Sequence, residues 1–152
     1  MSKFKRFEEI EAWKRARSLS SVIYKMTSTP DFQKDFSLIN QIRRAAGSIM
    51  DNIAEGFGRE GNREFQQFLT IAKGSAFEVK SQLYRVLDQQ YILNAEFEEI
   101  YNQADTICKL INGLLKYLRN SEYRGTKFKE YPKTDDTQKK IPHIEPKTEN
   151  TF

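Results

Sequence analysis

The sequence predicts an all-α protein, an antiparallel up-down-up-down four-helix bundle followed by a disordered, charged C-terminal tail. Apolar residues recur at three- and four-residue steps through four long segments, the period of one helix face. The links between these segments are short, and short links favour antiparallel neighbours. Three of the four prolines fall after residue 130, where the helical period is gone. The bundle is therefore expected over residues 1–120 and the tail over residues 121–152.

At 152 residues the chain suits one domain with a single bundle core. A formal charge of +4 is compatible with a nucleic-acid partner without designating one. Cys108 is the single cysteine, so it has no intrachain disulfide partner, and it sits at an apolar helical position. It reads as a small buried hydrophobe. The basic start, Met1 to Arg6, is not followed by an apolar signal-peptide core, and no apolar run nears the ~20 residues that span a bilayer. A cytoplasmic protein without membrane contact is expected.

The first helix is expected from Phe7 or Glu8 to Thr27, with Phe7, Ile10, Trp13, Ala16, Leu19, Ile23 and Met26 along one face. Glu8, Glu9 and Glu11 suit the positive end of its dipole. Pro30 closes the segment, because proline disfavours helical geometry in the residue before it. The second helix should start at a Ser37 cap and end at Glu55. Its rows Leu38, Ile42, Ala45, Ile49 and Ile39, Ala46, Met50, Ile53 make a wide apolar surface. Gly56 is placed to end it as a left-handed residue.

The third helix is expected from an Asn62 cap to about Gln89. Phe65, Leu69, Ala72, Ala76, Val79, Leu83 and Val86 form a heptad-like seam, ~40 Å long at 1.5 Å per residue. Gly74, between Lys73 and Ser75, is expected to let a neighbouring helix approach closely. The fourth helix should begin at an Asn94 cap with Glu96, Glu98 and Glu99 in its first turns. Phe97, Tyr101, Ala104, Cys108, Ile111, Leu115 and Leu118 form its stripe, widened by Ile100, Ile107 and Leu114. From Ser121 onward, mixed charge and proline point to disorder. His143, between Pro142 and Ile144, has no catalytic neighbour. Tyr123, Phe128 and Tyr131 alternate with basic residues, which suits either a solvated tail or a strand of nucleic acid.

Enzyme signatures are missing. One cysteine and one histidine exclude a four-ligand Cys/His zinc site. There is no Walker A loop, nucleophile elbow or His-Glu-x-x-His. Di-iron bundles need Glu-x-x-His pairs, and the chain has none. No catalytic residue, metal or cofactor is expected.

The basic residues carry more information. Arg43, Arg44, Arg59 and Arg63 flank the second helix and its corner with the third; Lys73, Lys80 and Arg85 lie off the third helix's seam. Converging, the four arginines would make a compact phosphate site, since guanidinium groups match phosphate oxygens. Alternatively some pair with Asp51, Glu55, Glu60 or Glu78, and Arg44 and Arg59 are best placed for that. Both readings stay open on the sequence.

Gln41-Ile42-Arg43-Arg44-Ala45-Ala46, Ser48-Ile49, Asn52-Ile53-Ala54-Glu55-Gly56 and Arg59 resemble the hallmark run of a family of bacterial four-helix-bundle proteins. These are encoded in intervening sequences of large-subunit ribosomal RNA genes and are related to the accessory variability determinant of diversity-generating retroelements. Phe65, Phe68-Leu69, Ala72, Gly74-Ser75 and Glu78 continue the pattern, so the resemblance covers roughly residues 7–118. It implies a homo-oligomer, a ring-like homopentamer, with a basic surface that binds RNA or DNA. In the retroelement branch it also implies a reverse transcriptase partner. Gly47 and Met50-Asp51 depart from the pattern, and the aspartate lowers the local positive potential. The expected function is non-enzymatic nucleic-acid binding, with a protein-interaction scaffold as the alternative.

Overall fold

The computed structural model describes residues 3–129, and its described elements are helical. A 3-10 turn, Phe7–Glu9, precedes α1 (Glu11–Thr27), α2 (Phe36–Gly58), α3 (Asn62–Asp88) and α4 (Asn94–Lys129). Each helix packs on the next and α4 returns to α1, while among the described residues the backbones of the diagonal pairs stay apart. That is the up-down-up-down square that short links predict.

The apolar rows meet in one core. Ile10, Leu19 and Ile23, then Ile42, Ile49 and Ile53, Leu69, Val79 and Leu83, and Ile107 and Ile111 are all fully buried. Each such side chain adds about 1.5–3 kcal/mol of burial before ordering costs are subtracted. Phe32, in the α1–α2 connection, is also fully buried and stacks on Tyr91, with ring centroids 4.6 Å apart. This closes one end of the bundle.

The helix ends differ from expectation, because capping depends on which side chain actually reaches a free amide. α1 starts at Glu11, since Ile10 is extended (φ −74°, ψ 119°). Asp35, not Ser37, caps α2: its Oδ1 accepts from the Leu38 amide at 3.2 Å, and its Oδ2 accepts from the Tyr91 hydroxyl at 3.0 Å. Asn62 is the first residue of α3 rather than its cap; its Nδ2 donates to the Leu118 carbonyl at 3.1 Å and ties α3 to α4. Asn94 likewise lies inside α4, and Glu96 Oε1 accepts from the Leu93 amide at 3.3 Å.

Gly56, not Gly74, takes the close-approach role, and neither ends a helix in a left-handed conformation. Gly56 is helical and buried, and α2 continues past it to Gly58. A Cβ there would lie 2.5 Å from Phe68 Cβ, so α2 and α3 approach closely at Gly56. The left-handed turn falls instead on Glu60, with φ 62°. Gly74 is exposed, and a Cβ there would meet nothing within 4 Å. Its expected close packing is absent within the chain.

α4 passes residue 121, where composition suggested a boundary, and runs to Lys129. Helix propensity outweighs composition here, because the next proline is not reached until Pro132. The remaining tail, with Tyr131 and His143, lies outside the described residues, as do the side chains of Tyr123 and Phe128.

Candidate nucleic-acid interface

The adjacent arginines of α2 part company because one helical step turns side chains about 100°. Arg43 points back to the last turn of α1. Its Nε donates to Thr27 Oγ1 at 2.8 Å, its Nη2 to Ser28 Oγ at 3.4 Å, and its guanidinium carbon lies 4.4 Å from the Tyr24 ring centroid. A cation there also meets the negative end of the α1 dipole. Arg44 is exposed, and no ion pair among the described residues holds it.

Arg43, Arg44, Tyr24, Asn40, Gly47 and Asp51 line a shallow groove of about 630 Å³ between α1 and the outer side of α2. Its α3 edge is fixed by a polar network. Ser48 and Ser75 share a 2.8 Å hydrogen bond across the helices, and Asn52 Nδ2 donates to Ser48 Oγ at 2.9 Å.

The other sequence-predicted cations do not join this groove. Arg59, the C-cap of α2, lies sixteen positions beyond Arg43, about 24 Å along one axis, so a compact four-arginine site does not form. It pairs with Glu55 at 3.1 Å, the pairing expected of it, and lies over Phe68. The corresponding pairing of Arg44 is not found. Arg63, exposed in the first turn of α3, is itself engaged in an interaction. Arg85 Nη1 donates to Gln41 Oε1 at 2.9 Å.

Lys80 is held on the α3–α4 side. Its Nζ donates to Asp105 Oδ1 at 3.0 Å and lies 4.8 Å from the Phe77 ring and 4.9 Å from the Tyr101 ring. Only 13% of its side chain is exposed, so it fixes α3 to α4 rather than reaching for phosphate. Burial works most strongly against its charge, but the Asp105 hydrogen bond together with the charge interactions of Tyr101, Asp105 and Cys108 outweighs it and raises its pKa. The Lys80 hydrogen bond, followed by that of Lys109, holds Asp105 below the usual carboxylate range. Partly buried Lys73 lies near enough to Cys108 for its charge to act on the thiol. Burial pushes the Cys108 thiol up, as expected of a small core residue.

A basic surface on α1 escaped the sequence reading. From Ala12 to Pro30 there is no carboxylate, while Lys14, Arg15, Arg17 and Lys25 are all exposed. Lys14, Arg17, Ser21, Lys25 and Ser28 recur at three- and four-residue steps, so they share the outward face. Tyr24, seven residues after Arg17, stands at the groove edge of that face, 51% exposed. The available signal was the carboxylate-free run, which the apolar period of the same helix overshadowed.

Among the described residues, no cluster of His, Cys, Asp and Glu is placed to hold a metal. No described helix is long and apolar enough to cross a membrane.

A family model described as 23S rRNA-intervening sequence protein matches residues 8–113. A crystal structure from Bacteroides thetaiotaomicron VPI-5482, of a protein with unknown function from the S23 ribosomal protein family, resembles the chain with a TM-score of 0.64. The two share 28% identity, over 69% of this chain and 98% of that one. No curated protein matches the chain.

Proposed function

We propose a function from one premise: this chain belongs to the 23S rRNA-intervening sequence protein family. The proposed function is non-catalytic binding of RNA or DNA, through phosphate contacts along α1 and the α1–α2 groove. The observation that carries it is the exposed face holding Lys14, Arg17 and Lys25, continued by Arg44, on a helix whose one carboxylate, Glu11, lies in its first turn and pairs with Arg15. Lys14 and Lys25 are eleven residues apart, about 16 Å, which spans several phosphates of a strand. No base-reading module is present among the described elements, so sequence preference should be weak.

Fluorescence anisotropy with structured RNA and duplex DNA of matched length, repeated over a salt series, tests this reading. Binding whose log affinity falls linearly with log salt is the expected result. Failure of both ligands to bind at low salt would overturn it.

A second reading, a protein-interaction scaffold, is favoured by a different surface. Phe77 and Tyr84 of α3 are 51% and 50% exposed. Tyr84 joins Phe97 and Tyr101 of α4, at centroid distances of 4.9 and 5.8 Å. Exposed aromatic clusters of this kind suit a protein partner. Self-association, including the proposed homopentamer, would use the same property; sedimentation velocity separates it from a monomer that needs a different partner.

A further inference from the structure

We propose that the α1–α2 groove takes one unstacked base of a single-stranded nucleic acid, with Tyr24 as its stacking platform. The proposal rests on the nucleic-acid reading above and adds the form of the ligand. Four features of the groove carry it, and they do different chemical work.

Tyr24 supplies an aromatic face, and every base has a matching one. Arg43 covers one face of the ring at 4.4 Å and is anchored by Thr27 and Ser28; with 51% of the residue exposed, a base would stack on the opposite face. At about 630 Å³ the groove, open to solvent, has room for a nucleotide. Gly47 forms part of its floor, and the space beyond its Cα is open, so a flat ring edge meets no side chain there.

The rim is mixed in charge, and this separates a base from a bare phosphate. Arg44 is free to take a phosphate oxygen. Asp51 would repel a phosphate, but its carboxylate accepts hydrogen bonds from the exocyclic amino groups of adenine, cytosine or guanine. Asn40 is exposed beside them, with an amide that both donates and accepts. In a duplex the base faces are stacked on one another. In a single strand they are available. Lys25, Arg17 and Lys14 continue along α1 for the flanking phosphates.

The test compares fluorescein-labelled single strands of mixed sequence, as RNA and as DNA, with a duplex of that sequence, on the full chain. The wild type is expected to bind both single strands at least ten-fold more tightly than the duplex. Tyr24→Ala should weaken single-strand binding by roughly 5- to 150-fold, the range for loss of one stacked base, and leave duplex binding unchanged. Tyr24→Phe should retain single-strand affinity. Tyr24→Trp should show indole quenching on addition of strand beyond that of the wild type, whose native indole is Trp13. Circular dichroism melting of each variant separates lost binding from lost folding.

Equal binding of strand and duplex, with Tyr24→Ala changing neither, would overturn the stacking proposal and leave phosphate binding standing. No binding of any ligand at low salt would overturn both. A difference between the RNA and DNA strands, with the Tyr24 dependence intact, supports the proposal and identifies which sugar the groove prefers.

Discussion

Arg43 and Arg44 are chain neighbours whose environments give them different work. Arg43 is held by two hydroxyls and a ring, and Arg44 faces water. The sequence made the cations visible but not their partners, since Thr27 and Ser28 are sixteen and fifteen residues away from Arg43. The same holds for Lys80, whose partner Asp105 lies on another helix. This pair has a pH signature with a definite sign. Asp105 titrates below its usual range, so its contribution is present above the pH at which a free aspartate ionises and is lost as pH falls through the lowered pKa. Lys80 titrates above the usual lysine value of 10.5, so its contribution is whole below that pH and fades as pH rises through the raised pKa. Asp105→Asn should therefore lower Tm most between about pH 5 and pH 10, with the gap to wild type narrowing on both sides. Thermal melts of both proteins from about pH 2 to pH 12 check it; a gap that stays constant over that span would contradict the assignment.

At the scale of the element, periodicity was the legible part and close approach was not. The α3 seam from Phe65 to Val86 is buried as read, because a seven-residue apolar repeat leaves one face to bury. Glycine is ambiguous in one dimension: it suits a left-handed turn, a helix crossing or nothing in particular. Gly56 proves to be the crossing and Gly74 an exposed helical position. The two should respond oppositely to alanine. Gly74→Ala should stabilise by up to about 1 kcal/mol through helix propensity alone. Gly56→Ala gains the same propensity but drives a methyl group against Phe68, and overpacking of about 1–3 kcal/mol should leave it neutral to destabilised. Urea melts of both variants measure this directly. A stabilised Gly56→Ala would mean that α2 and α3 can separate without cost.

For the molecule as a whole, the bundle was legible from four apolar periods, and the hallmark run of α2 pointed to the family that residues 8–113 match. The candidate interface was only half legible. Arg43 and Arg44 belong to its groove, while Arg59, Arg63, Lys73, Lys80 and Arg85 lie elsewhere on the bundle, because cations placed by helix phase scatter around it. Lys14, Arg17, Tyr24 and Lys25 were hidden in a helix whose apolar period drew the reading inward. The central claim is that this α1 face and Arg44 hold phosphates. The most direct measurement compares the salt dependence of RNA binding by wild type and by a Lys25→Ala/Arg44→Ala double variant. The account predicts a log–log slope shallower by about one unit per lost contact, with the fold retained. An unchanged slope in a folded double variant would contradict it and place the phosphates on another face.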